Sequence, residues 1–578
     1  MRWLGALGGY LLVVVLLTWP LPMGGSVLGY PNVDLLDTIT LRGLFAGGAA
    51  YFPVGYPLHL LLPNVLDHAL GWPLAKLLPF PLSDNLWWLL VLVGNGLAGH
   101  WMGWRLSGDH LVAAFAGCAW LCSDWLLREA NLHHAPQALA LFAPLCLAHA
   151  IPALRGGSRT DALLGGLFLG LASVAYWYFG LFLGVALLTQ LRRSTWRRAL
   201  EGAGVALLIA GPLLAWTLAH AAQMPLADPA VTPAPLQVPG DVSALPESMR
   251  FVAQHGTDPA LPFRGEPLDR SNRVPLVLLG LAAAGLVLRR EWRLLAMALT
   301  GLVFSLGPFL KLGEDLVLVG EDPLSLPFRW LGSLHPFLER LHWPERWGLL
   351  IPLGLIPLAL RVPRVQLLTP LLVAEVLLLS GNAPLQTWDV SDLEGWRAVE
   401  AADGAVLELP LSRGGLAAPL VGLHARYHRR AIVNPLLLPP GEAPPEAWQD
   451  WVHSQPLVEA ILELENGGNP GDPGPDAVRS LAEEGVGAIA LDALPGSVMK
   501  GSQVIRSRQQ LSKLLGDPED HGCVLVWWVK PPRWQTEPVD NGHAWREGVE
   551  ERYEETARPE LNTLIEPVWN SRLGKEDK

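Results

Sequence analysis

Apolar residues fill the first two-thirds of the chain in long runs. Eleven stand out, at 3–19, 84–104, 110–127, 136–153, 162–175, 177–191, 199–220, 273–288, 294–310, 347–360 and 365–381. Roughly 17–25 apolar residues cross a bilayer as a helix, so the pattern predicts a polytopic α-helical membrane bundle. The fifth and sixth runs are short and only Tyr176 divides them, which predicts a tight hairpin or one broken helix. The first run could be a signal peptide. It lacks a small-x-small cleavage site and leads into Trp19-Pro20-Leu21-Pro22, so an uncleaved span is the preferred reading.

After Trp388 the period changes. "GAVLELPL" predicts a short strand, and "DAVRSLAEEGVGAIALDAL" (476–494) predicts a helix, a turn and a strand at Ala488–Leu491. "GCVLVWWVKPP" (522–532) predicts another strand. Alternating helix and strand point to a small α/β or α+β domain. "ENGGNPGDPGPDA" (465–477) predicts a loop or lid. The expected layout is therefore a transmembrane domain at 1–387 with a long first outer loop at 20–83, an acidic domain at 388–553, and a polar tail at 554–578.

Composition agrees with this division. Only 17% of the 578 residues are charged and mean hydropathy is +0.29, where soluble proteins carry about 25% charge. Residues 388–578 hold 31 acids and 18 basic residues, against 23 and 24 in residues 1–387. Many of the 25 tryptophans lie near the ends of apolar runs, as rings at a membrane interface do. Cys118, Cys122, Cys146 and Cys523 form no ligand or disulfide pattern. No phosphate-binding glycine loop and no nucleophile elbow occurs.

Orientation follows from arginine in the short loops. Counting alternately from Arg2, one set of loops holds Arg105; Arg155 and Arg159; Arg192, Arg193, Arg197 and Arg198; Arg289, Arg290 and Arg293; and Arg361 and Arg364. These loops are read as cytoplasmic. Residues 20–83, 128–135, 221–272, 311–346 and the acidic C-terminal segment are then extracytoplasmic, and the expected location is a bacterial inner membrane.

Polar residues gather in the outer segments. The first contains Asp34, Asp37 and Arg42 in "YPNVDLLDTITLRG", followed by an apolar stretch suited to interfacial helices. The second, "DWLLREANLHHAPQ", carries Asp124, Arg128, Glu129, His133 and His134. The third, "SLPFRWLGSLHPFLERLHWPERW", carries Arg329, His335, His342, Glu345 and Arg346. Carboxylates can act as bases or take a divalent cation, and arginines can clamp a phosphate. Together they suit a phosphate-linked, lipid-borne substrate. Against this stands a solvated loop with helix caps and surface pairs; acids at i, i+3 are common at helix starts. Glu375, inside "LLVAEVLLL", is either functional or a buried helix-pairing residue. "RYHRR" (426–430) is read as a solvated patch, or else as a contact for lipid phosphates.

The order of these pieces resembles the GT-C superfamily of integral-membrane glycosyltransferases, and within it the bacterial branch near YfhO-like proteins with an exported C-terminal domain. The likeness runs through "NVDLLDTITL", "GNGLAGHWMGWRLS", "REANLHHAPQALALFAPLCLAH", "LASVAYWYFGLFL", "LHWPERWGLLIPLGL" and "GAVLELPL" with "HARYHRRAIVNP". It implies a polyprenyl-phosphate sugar donor, an inverting transfer to a glycan, lipid or protein acceptor, and an acid in the first outer loop as base. By position that base is Asp34 or Asp37, with Asp34 favoured because it precedes the expected helix start. Asp124, Arg128, His133, His134, Arg329, Glu345 and Arg346 are the expected substrate contacts, with Arg346 at the donor phosphate. The second outer loop has no Asp-x-Asp, so no metal ligand is assigned and a Mg or Mn ion stays open. Membrane lipids are expected partners and nucleic acid is not. A non-enzymatic protein that binds or escorts a lipid-linked glycan is the alternative. A transporter is the third reading, in which Glu375 would matter more than Asp34.

Overall fold

The computed structural model describes residues 2–19, 25–29, 52–54, 65–221, 257, 272–312, 315–320, 322–334, 338, 341, 343–411, 414–434, 445–465, 468, 473–493 and 501–534. Asp34, Asp37, Arg42, His335, His342 and the tail at 554–578 lie outside the described residues. The chain divides into two compact units: 1–21, 62–67 and 87–386 in the first, 22–61, 68–86 and 387–578 in the second.

Every one of the eleven apolar runs carries a helix. Among the described residues, Ala135–Leu154 and Arg193–Trp216 are long and apolar enough to cross a membrane; a third stretch joins them if the bent pair His110–Leu121 and Asp124–Asn131 is one span. Length and composition thus support two or three crossings among the described residues and do not by themselves reach the eleven expected. Five further apolar helices among the described residues are shorter, 10–17 residues long. Tyr176 takes extended angles (φ −157°, ψ 113°) between helices Arg159–Ala175 and Trp177–Leu188, so the fifth and sixth runs are two helices.

Small residues let the helices of the first unit pack closely. Ala162, Gly166 and Gly170 recur every four residues along one face of Arg159–Ala175, and Gly166 lies on the backbone of Gly202 in Trp196–Ala221. A Cβ on Gly166 would come within 2.1 Å of the Gly202 carbonyl oxygen. Such small-residue stripes allow close backbone approach in membrane bundles.

Ion pairs tie the arginine-bearing helix ends together. Glu291 accepts from Arg155 at 2.8 and 3.2 Å and from Arg361 at 3.5 Å. Asp161 accepts from Arg105 and meets His149 Nδ1 at 3.1 Å. Gln190 donates to the Arg293 carbonyl at 2.7 Å. The loops that carry the arginines therefore share one end of the first unit. By the alternation of the helices, 123–134, Tyr176, 272–277, 343–349 and 380–386 fall at the other end.

The second unit is built on a mixed four-stranded sheet. Strands β1 (Ser26–Leu28) and β2 (Thr387–Asp389) form a separate antiparallel pair. The main sheet has the order β3 (Ala405–Leu409), β4 (Val486–Asp492), β6 (Val524–Trp528), β5 (Glu519–Asp520). β3 and β4 are parallel, and the other pairings are antiparallel. All residues of β3 and β4 are buried, as expected where both faces are covered. One face packs on Leu457, Val458, Ile461, Leu481 and Leu511, the other on Trp396, Leu423 and Tyr427.

That second face contains an acid. Glu408, in mid-strand, is fully buried and meets His424 Nδ1 at 2.9 Å and His428 Nε2 at 3.0 Å, with Trp396 stacked on His424. The Arg430 N–H donates to His428 Nδ1 at 3.1 Å, so the ring carries its proton on Nε2 and donates it to Glu408. "RYHRR" is a clamp. Arg426 is buried and donates to Ser83 Oγ at 3.1 Å, Arg429 donates to the Leu78 carbonyl at 3.2 Å, and Arg430 donates to the Glu400 carbonyl. Hydroxyl and carbonyl partners within the second unit thus take Arg426 and Arg430 out of the solvated patch expected from sequence, and Arg429 stays exposed.

Candidate functional site

At the helix ends away from the arginine loops, the first unit buries two acids and two arginines together. Helix Asp124–Asn131 supplies Arg128 and Glu129, both 1% exposed. Their side chains pair at 2.5 Å, and Arg128 also donates to Asn272 Oδ1 at 3.5 Å. The other Glu129 oxygen meets His134 Nδ1 at 2.7 Å, and the His134 N–H donates to the Glu129 carbonyl at 2.8 Å. Burial works to raise the Glu129 carboxyl; Arg128, His134 and Arg346 outweigh it and hold it well below the usual carboxylate range. Ionised Glu129 can only accept, so His134 donates its Nδ1–H to it.

The second acid and arginine come from the 3₁₀ turn Pro344–Leu349. Arg346 donates to the Tyr176 hydroxyl and lies over the rings of Tyr176 and Trp343, at 5.3 and 4.7 Å from their centres. The extended break at Tyr176 presents that phenol to the guanidinium. Burial would lower the Arg346 pKa, but Tyr176, Glu129 and Glu345 raise it above the ordinary value. Glu345 sits 4.0 Å from Arg346 Nε. Burial pushes its carboxyl up to about 7, against the pull of Arg128 and Arg346 and with the charge of Glu129 adding to the rise.

Glycine fixes the floor of the cluster. A Cβ on Gly348 would overlap the Asn272 amide, with Oδ1 at 2.1 Å. The missing side chain lets Asn272 lie flat on the turn and donate to the Glu345 carbonyl at 2.9 Å and to Thr257 Oγ1 at 2.6 Å. Asn272 therefore joins Arg128 to the Glu345 backbone.

The remaining candidates frame this centre or stand apart from it. Asp124 accepts from Ser380 Oγ at 2.7 Å and Asn382 Nδ2 at 3.2 Å. It lines a cavity of about 10 Å³ with Asn272, Arg273 and Gly348, room for about one water. His133 is fully buried, adopts a left-handed backbone (φ 57°) and accepts from Trp88 Nε1 at 3.0 Å; it turns the chain between two helices. Arg329 is exposed, donates to Ser325 Oγ at 2.6 Å and lies over the Phe309 ring; no described contact brings it to the cluster. Glu375 caps helix Leu276–Arg289, accepting from the Leu276 and Val277 N–H groups at 2.5 and 2.9 Å. That supplies a structural reason for an acid inside an apolar helix.

Tyr176 and Asn272 are the members that sequence reasoning did not select. The Tyr176 break was visible as an aromatic interruption, whereas Asn272 sits at the end of a long loop with no local signal. Among the described residues, no group of three or more His, Cys, Asp or Glu side chains is placed to hold a metal ion.

No family model and no curated protein matches the chain. Solved structures do. The chain is similar to the arabinofuranosyltransferase AftD from Mycobacteria, with 17% identity over 91% of this chain and a TM-score of 0.46. It spans 40% of the length of AftD. It is also similar to ArnT from Cupriavidus metallidurans, solved bound to undecaprenyl phosphate. There the identity is 13% over 93% of this chain and 99% of ArnT, with a TM-score of 0.39.

Proposed function

We propose that this chain is an integral-membrane glycosyltransferase of GT-C type, moving a sugar from a polyprenyl-phosphate donor to an acceptor at the outer face of a bacterial inner membrane. The observation that carries the reading is the buried group of Arg128, Glu129, Glu345, Arg346 and Tyr176 at the helix ends opposite the arginine loops. Two buried guanidiniums at such a surface suit a phosphate that arrives from the lipid side. In the proposed reaction the acceptor hydroxyl attacks the anomeric carbon and the carbon–oxygen bond to phosphate breaks. The arginines receive the charge of the departing polyprenyl phosphate. The acceptor proton goes to a base, assigned from the sequence resemblance to Asp34, with Asp37 as the alternate.

The test is transfer by the full chain in nanodiscs, supplied with polyprenyl-phosphate sugars and cell-envelope acceptors. Transfer is expected to fall at least a hundredfold, on the order of the effect of a general base, in Asp34→Asn or Asp37→Asn. Full activity in both variants removes the first-loop base; His134, oriented through Glu129, is then the next base to test. Tight donor binding without turnover under all conditions would favour a protein that binds or escorts lipid-linked glycan.

A further inference from the structure

The two acids of the cluster are held differently. Glu129 pairs with Arg128 at 2.5 Å and with His134 at 2.7 Å. Glu345 reaches Arg346 only at 4.0 Å. Its Oε2 is buried and meets no hydrogen-bond donor among the described residues, and Arg346 Nε meets no acceptor. Its own backbone N–H also donates to the carboxyl, but a buried carboxylate with one oxygen left without a donor is costly unless it is neutralised. The groups that face it are Arg128 and Glu129 from helix Asp124–Asn131, and Arg346 beside it in the same turn. His134 acts on it through Glu129, and Tyr176 through Arg346.

Charge counting shows what an incoming anion meets. With the His134 imidazole uncharged, Arg128 and Arg346 balance Glu129 and Glu345 when both acids are ionised. A phosphodiester adds one negative charge to a buried and already neutral group. One proton on Glu345 restores the balance, releases its hold on both guanidiniums, and turns its oxygen into a donor for a phosphate oxygen.

We propose that this site binds a lipid phosphodiester together with one proton, which Glu345 takes up from solvent as the anion enters. The inference rests on the reading of the cluster as a phosphate site and adds its regulation by pH. Burial holds the Glu345 carboxyl near pH 7 in the free protein. Below that value the site is already protonated and ready. Above it each binding event must first draw a proton, so affinity falls as pH rises.

The test uses the full chain in nanodiscs and undecaprenyl methyl phosphate, a diester whose own charge is constant over the range. Calorimetry in two buffers of different ionisation enthalpy counts protons directly. For one group titrating near 7 the dissociation constant is expected to rise about 25-fold from pH 6.5 to 8.5, with close to one proton taken up per diester bound at pH 8.5. Glu345→Gln should bind at pH 8.5 as tightly as the unaltered chain does at 6.5, with no proton uptake. Binding without proton uptake by the unaltered chain overturns the inference, and so does an unchanged pH profile in Glu345→Gln. The proton count needs no variant, so a substitution that fails to fold leaves the test intact. No binding at any pH instead removes the phosphate reading itself, and this inference with it.

Discussion

At the scale of single residues, burial decides which charges matter. The Arg128–Glu129 pair is dry, and breaking such a pair from one side typically costs about 3–5 kcal/mol. Glu129→Gln should therefore destabilise the chain by that amount in detergent unfolding. Glu201→Gln, which removes a partly exposed partner of Arg198, should cost no more than about 1 kcal/mol; equal effects would contradict the burial argument. Glu408 makes a pH prediction. Burial, with Asp492 adding, holds its carboxyl well above the usual range. Its stabilising contribution is full below the ordinary carboxylate value of about 4.3 and fades as pH rises through the folded value. His424 is held well below the imidazole range by burial and by His428; His428 is pushed down to about 3 by burial and by Arg430. Their contribution is full above about 6.5 and is lost as pH falls toward the folded values. Glu408→Gln keeps the shape of the protonated acid, so it should leave unfolding near pH 4 unchanged and raise the midpoint at pH 9. A wild-type-like loss at pH 9 would refute that assignment. The sequence signal was present: one acid inside a buried apolar strand, and two histidines four apart on a helix.

At the scale of elements, close backbone contacts are the sensitive points. Gly166 has no room for a side chain against Gly202, so Gly166→Val should destabilise by about 1–3 kcal/mol through overpacking. Gly184, inside a helix with open space around it, should accept Ala with a gain of up to about 1 kcal/mol. Detergent melting curves of the two variants separate these outcomes. Helix positions were legible because long apolar runs have few other ways to satisfy their backbone. The break at Tyr176 was legible as the division between two short runs. Its partner, Arg346, was not, because it lies 170 residues away. The loops at 124–134 and 343–349 could be picked out by composition. That Asn272 would join them could not, because its place depends on the bare backbone of Gly348.

At the scale of the whole molecule, the arginine count and the ion pairs at one end of the first unit agree on which helix ends belong together. The proposed orientation adds that this end faces the cytoplasm. All four native cysteines are buried, so the background for thiol labelling is low. In intact cells a membrane-impermeant maleimide should label Asp315→Cys and leave Thr160→Cys unlabelled until the membrane is opened; the reverse pattern would invert the topology. Both positions are exposed, so a difference reads sidedness rather than burial.

The pairing of β1 with β2 has a consequence for synthesis. Ser26 waits for Asp389, so the ribosome must add about 360 residues before the ladder can close. At roughly 5–20 residues per second, that is an interval of roughly 20–70 s. Throughout it the first-made strand of the second unit lacks its ladder partner and has Asn85, which meets the Leu28 N–H and the Ser26 carbonyl, while most of the helices have already been delivered. A nascent chain stalled before residue 387 would carry an open strand edge, and a protease that cuts near residue 26 should attack it far faster than it attacks the finished protein.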